Sequence, residues 1–104
     1  MSEISGHTRI WGILADPIAH VKTPQMINRV AQERGVDGVM IPFHVASADL
    51  ATLVKGLKGM KSLHGFVVTV PHKTAIVDLL DEVSENARLI GAVNTVRREP
   101  DGRL

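Results

Sequence analysis

Three short, nearly continuous apolar runs, Arg9 to Ala15, Val39 to Val45 and Leu63 to Val70, alternate with segments whose apolar residues recur at helical spacing. That alternation constrains the fold more than any other feature of the chain. A short apolar run without polar alternation suits a strand covered on both faces. Between the first two runs, Met26, Ile27, Val30 and Ala31 form an i, i+1, i+4, i+5 stripe, Thr23-Pro24 supplies an N-cap and a first-turn proline, and Gly35 supplies a stop. Between the second and third, Leu50, Leu53, Val54 and Leu57 repeat at i, i+3, i+4, i+7 behind a cap at Ser47, with Gly59 near the end. Parallel neighbours need crossover connections, so the order predicts an α/β domain: a three-layer α/β/α sandwich around a mainly parallel sheet. Pro42 cannot donate a ladder hydrogen bond, which assigns the second run to an edge. That apolar edge is also where a second copy of the chain would sit in a homodimer.

After the third run, Pro71 is expected to start a helix that carries Lys73 in its first turn and buries Ile76, Leu79 and Leu80. Ser84-Glu85 opens a shorter helix containing Leu89 and Ile90, Gly91 ends it, and Val93 to Arg98 reads as a further strand. Glu99-Pro100-Asp101-Gly102 is a turn signal that predicts a returning strand, of which only Arg103 and Leu104 are present. The expectation is a single domain, residues 1–104, cut from something longer.

The charge balance is 12 Lys and Arg against 11 Asp and Glu, which leaves no field to gather nucleic acid or an anionic membrane surface. No apolar run approaches the roughly 18 residues of a spanning helix. The leader Met1 to His7 lacks the pattern of a secretory signal, and the absence of cysteine excludes disulfide and thiolate chemistry. A soluble, cytoplasmic protein is expected. The five histidines, His7, His20, His44, His64 and His72, show no metal-ligand spacing. His20 is read as shaping its loop, His72 as packing or facing solvent beside Lys73, Trp11 as structural, and Met26, Met40 and Met60 as core filling.

Parallel α/β sheets hold ligands at the carboxyl ends of their strands. Lys22 and Thr23 follow the first run, Thr69 and Lys73 follow the third, and Asn94 follows the Gly91 stop. These groups are candidates to converge on one small polar molecule. Unpaired N–H groups in the first turn of a helix mildly repel a cation, which marks Lys73 as a candidate for proton transfer. Each residue also has a purely structural reading: Lys73 as a solvated side chain, Thr23 as a cap, Thr69 as a strand-end residue, Asn94 as a turn residue.

Three separated segments resemble the N-terminal, substrate-binding domain of shikimate dehydrogenases. Leu14 to Pro24 resembles that family's G-D-P-x-x-H-S-x-S-P loop, Gly65 to Lys73 its G-x-N-V-T-x-P-H-K, and Gly91-Ala92-Val93-Asn94-Thr95 its G-A-V-N-T. The resemblance implies hydride transfer between a ring hydroxyl of shikimate and a nicotinamide cofactor, NADP or NAD. By the same resemblance, that cofactor is bound mainly by a C-terminal Rossmann domain beyond this chain. It implies that Lys73 is the catalytic lysine, paired with an aspartate beyond Leu104, and that Thr23, Thr69 and Asn94 contact substrate. Val21 and Val67 depart from the pattern, standing where the family has a carboxylate-binding serine and an asparagine. A hydrogen bond to a charged group is worth about 1.5–3 kcal/mol, so the loss at Val21 weakens shikimate binding by roughly one to two decades. Quinate or aminoshikimate are the related substrates this suggests. A free-standing small-molecule binding or regulatory module is the alternative, and a stop codon directly after Leu104 would favour it.

Overall fold

The computed structural model describes residues 3–104. Four strands, β1 (Arg9–Ala15), β2 (Gly38–His44), β3 (Leu63–Val68) and β4 (Thr95–Arg97), form one sheet in the order β2-β1-β3-β4. β1 pairs in parallel with β2 and β3, and β4 runs antiparallel to β3. The apolar runs thus make the parallel part of the sheet, with Pro42 on its outermost strand as a residue lacking N–H requires. Helices α1 (Thr23–Glu33) and α2 (Leu50–Lys58) are the crossovers. One connection steps outward from β1 and the other steps back past it, so right-handed crossovers set the two helices on opposite faces.

On the α2 face, Leu14 of β1 and Phe66 and Val68 of β3 pack with Leu50, Val54, Leu57 and Ile76 into the main core. Each such side chain, when enclosed, stabilises the fold by about 1.5–3 kcal/mol. On the other face, Asn28 of α1 binds the Met40 backbone in both directions: Nδ2 donates to the carbonyl at 3.0 Å and Oδ1 accepts from the N–H at 2.7 Å. This docking turns α1 so that Pro24 and Ala31 are buried while Met26 is 60% exposed and Val30 39%. Met26 is therefore not core filling, whereas Met40 is buried and Met60 packs against the core.

The helix starts differ from the pattern reading. Thr23 is the first residue of α1 and not its cap; Lys22 holds the cap position without a side-chain hydrogen bond. Ser47 opens a 3₁₀ turn, Ser47–Asp49, that leads into α2, and it does not cap that helix. No α-helix starts at Pro71. Residues 70–74 form turns and only Ala75–Leu79 is helical, as 3₁₀. Enclosure of both His72 and Ile76 at 0% exposure fixes this segment through tertiary contacts that outweigh its local propensity. The helix α3 (Glu85–Ile90) forms as read: the Ser84 hydroxyl accepts from the Ala87 N–H at 3.1 Å, and Gly91 takes the left-handed conformation at φ 78°. β4 is shorter than its apolar run, and Arg103 returns only a carbonyl to the Glu99 N–H, at 2.7 Å.

Arg98 carries a role that no pattern signalled. Its five N–H donors reach five carbonyls, those of Leu57, Lys58, Met60, Leu63 and Gly102, at 2.6 to 3.1 Å. It ties the C-terminal end of α2 to the start of β3 and to the last turn. Nearby, Asp81 accepts from the Lys58 ammonium at 2.9 Å and from the Leu104 N–H at 3.1 Å. These bonds, the Lys58 one first, hold the Asp81 carboxyl below its ordinary value of 3.8. A depressed carboxyl stabilises the fold above its unfolded value and loses that contribution as pH falls through the folded value. Asp81→Asn should therefore melt at a lower Tm at neutral pH and show a shallower decline below pH 3.8, in thermal melts across the acid range.

Candidate functional site

The carboxyl ends of β1 and β3 and the entry into β4 meet at a cleft of about 380 Å³ on the α1 face. Val21, Thr23, Val67, Thr69, Lys73 and Asn94 all line it, so the structure brings every candidate residue to one place. Val67 pairs with Ile13 on one side and Thr95 on the other, which makes these three the floor. Thr69, directly after the end of β3, lines the same cleft. Val21 and Thr23 come from the connection into α1 and its first residue.

Backbone hydrogen bonds fix the pieces relative to each other. The Thr69 N–H donates to Leu14 at 3.1 Å, the Val68 N–H to the Asn94 carbonyl at 2.8 Å, and the Val93 N–H to the Lys73 carbonyl at 2.8 Å. Lys73 and Asn94 are exposed, and Val21, Thr23, Val67 and Thr69 are half-buried. The reason given above for singling out Lys73 does not survive, because it sits in a turn and not at a helix N-terminus. Its place in the cleft is a separate and stronger reason.

The cleft is lined by Lys22, Lys73 and His20 and by no Asp or Glu. It therefore favours an anion, and the N-terminal end of α1, carrying Lys22 and Thr23, adds partial positive charge. Hydroxyls of Thr23, Thr69 and Thr95 and the Asn94 amide offer both donors and acceptors. Such a set can hold a carboxylate and orient ring hydroxyls, with an ammonium available to exchange a proton. Thr95, missed in the sequence reading, could have been found from its alternation with the buried Val96 in β4. Among the described residues no group of three or more His, Asp or Glu could hold a metal ion. No described helix is long and apolar enough to cross a membrane.

A larger cleft of about 660 Å³ shares Lys73, Asn94 and Thr95 with the first. Its remaining lining is mostly aliphatic, including Val83, Ala87, Ile90, Val93, Val96 and Leu104. The larger cleft also takes in Glu82 and Glu99, whereas the smaller one is free of carboxylates and sits at the carboxyl ends of β1 and β3, which makes it the candidate ligand site.

The profile of the shikimate dehydrogenase substrate binding domain matches residues 13–96. A shikimate dehydrogenase (NADP(+)) of Geobacter metallireducens is 48% identical over 99 residues, covering 95% of this chain and 34% of that protein. The chain thus spans about a third of the length of the curated relatives it matches. The crystal structure of a Listeria monocytogenes shikimate 5-dehydrogenase in complex with shikimate and NAD superposes with a TM-score of 0.91 at 40% identity, over 99% of this chain and 35% of that one. A ligand-free 5-ketofructose reductase of Gluconobacter superposes with a TM-score of 0.88 at 37% identity, over 96% of this chain and 35% of that one.

Proposed function

The chain belongs to the shikimate dehydrogenase substrate-binding domain family, and from that premise we propose that it holds the substrate in a nicotinamide-dependent oxidoreductase acting on shikimate, 3-dehydroshikimate or a related cyclohexane carboxylate. The observation that carries this reading is the cleft where two lysines, no carboxylate, three threonines and an asparagine converge. A carboxylate is the anion that also leaves a ring of hydroxyls to be read by Thr69 and Asn94.

The connection from β1 into α1, residues 16–22, contains no glycine, and Pro24 removes an N–H from the first turn of α1. A dinucleotide pyrophosphate needs close backbone approach at such a turn, so these residues do not fit it. NADP or NAD is accordingly assigned to a Rossmann domain outside these residues. What this chain does is bind, orient and move a proton. Oxidation of a secondary alcohol requires its O–H proton to leave, and in this reading the neutral amine of Lys73 accepts it and becomes the ammonium. Lys22 and Thr23 hold the carboxylate, and Val21 and Val67 form an apolar wall. That wall makes quinate and aminoshikimate substrates to compare with shikimate. A cytoplasmic location and a homodimer through the β2 edge complete the reading, supported by the lack of cysteine and by the outer side of β2, which no strand pairs among the described residues.

The test is calorimetric titration of the complete protein with shikimate, quinate and aminoshikimate, followed by turnover with NADP⁺ and NAD⁺. Binding of at least one acid is expected, and Asn94→Ala should weaken it about 10- to 100-fold through the loss of the amide's hydrogen bonds to ring hydroxyls. No heat with any of the three would sink the reading in favour of a binding or regulatory module for another ligand. The Gluconobacter neighbour makes a carboxylate-free ketose the comparison to run in that event.

A further inference from the structure

His72 is fully enclosed, at 0% exposure, beside the exposed Lys73. Its Nε2 lies 2.7 Å from the Val45 carbonyl oxygen. A carbonyl only accepts, so Nε2 carries the proton and Nδ1 keeps a bare lone pair. That Nδ1 is buried without a partner. An unsatisfied buried acceptor is destabilising, a cost that an aliphatic side chain of similar volume would avoid. The imidazole therefore does something here that an apolar filler cannot: it donates to Val45.

That hydrogen bond sits at a junction. The Val45 N–H donates to Ala15, the last residue of β1, at 3.2 Å. The His72 N–H donates to Thr69 at the end of β3, at 2.9 Å, and the Lys73 carbonyl accepts from Val93, just before β4, at 2.8 Å. The backbone of Lys73 is thus referenced to β1, β3 and β4 together, and the His72 ring supplies the link to β1. Lysine has a flexible four-carbon stem, so the location of its ammonium is governed by where the stem is rooted. We propose that His72 is a positioning residue, whose Nε2–H bond to Val45 roots Lys73 at the mouth of the cleft. The buried ring cannot itself reach a ligand. This inference rests on the role proposed for Lys73.

The test compares His72→Met, which fills the space without a donor, with His72→Gln, whose amide can still donate to Val45. In the complete enzyme with shikimate and NADP⁺, His72→Met should lower kcat about 10- to 100-fold per folded molecule, with KM changed less than about threefold. His72→Gln should recover kcat to within about fivefold of the unmodified protein. Either a His72→Met kcat within about twofold of the unmodified value, or no recovery in His72→Gln, overturns the proposal. Should neither variant fold, nitrogen NMR of the unmodified protein decides: a ring protonated on Nε2 and slow to exchange is expected, and a proton on Nδ1 overturns the proposal. If the unmodified protein turns over none of the tested acids, the proposed function fails separately. Hydrogen exchange then still reads the tether: the Val93 N–H should exchange about tenfold faster in His72→Met than in His72→Gln, and equal rates overturn it.

Discussion

Lys73→Met in the complete enzyme is expected to lower kcat for shikimate oxidation by about 10²- to 10⁴-fold while shifting KM less than about threefold. Methionine keeps much of the stem and removes the ammonium. Lys73 is exposed, so its replacement leaves no buried charge or cavity and the fold should be retained. On the proposed role the loss is chemical: the alcohol proton has no neutral amine to receive it as hydride departs. Lys73→Arg sharpens the result, because guanidinium keeps the positive charge but does not give up a proton in proteins. If charge alone matters, arginine restores much of the rate; if proton exchange matters, it remains as slow as methionine. Turnover of Lys73→Met near the unmodified level would end the assignment.

Arg98→Met is expected to destabilise the fold by about 3–5 kcal/mol out of the roughly 5–15 kcal/mol typical of a domain. All five guanidinium donors are engaged with carbonyls, two of them, Leu57 and Lys58, at the C-terminal end of α2. Carbonyls at a helix end lack the partner that continued α-helix would supply, and a cation there also answers the helix dipole. Methionine preserves the packing of the stem but removes five donors at once; the Leu57 and Met60 carbonyls keep the N–H groups of Met60 and Leu63, while the Lys58 carbonyl loses its guanidinium partner. Lysine has three donors and no planar fork, so Arg98→Lys should recover less than half of the loss. Urea unfolding should show a lower midpoint at unchanged slope. A loss below about 1 kcal/mol would mean that water replaces the guanidinium at little cost.

The parallel sheet was legible because burial on both faces of β1 and β3 writes itself as uninterrupted apolar runs, and the edge position of β2, of which only Met40 is buried, followed from the missing N–H of Pro42. Ser84 and Gly91 were legible for an equally local reason, a hydroxyl cap and a left-handed stop. What tertiary contacts decide was not. Enclosure of His72 and Ile76 converts the expected helix at Pro71 into turns and a 3₁₀ segment, and the Asn28 clasp on Met40 rotates α1 until Met26 faces solvent. Arg98 gave no signal because, next to Arg97 at the end of an expected strand, it looks like any surface charge. The six candidate residues could be chosen because strand ends and three short motifs announce themselves in sequence. The buried His72 bond to Val45 could not, since its partner is a backbone atom 27 residues away.

The reversed direction of β4 has a practical consequence. Because that strand enters beside the ends of β1 and β3 and then departs from them, the exposed tip at Pro100 and Asp101 emerges near the opposite pole of the sheet, where Arg98 meets His64. A reporter dye or an affinity handle attached at that tip would stand clear of the small-molecule entrance.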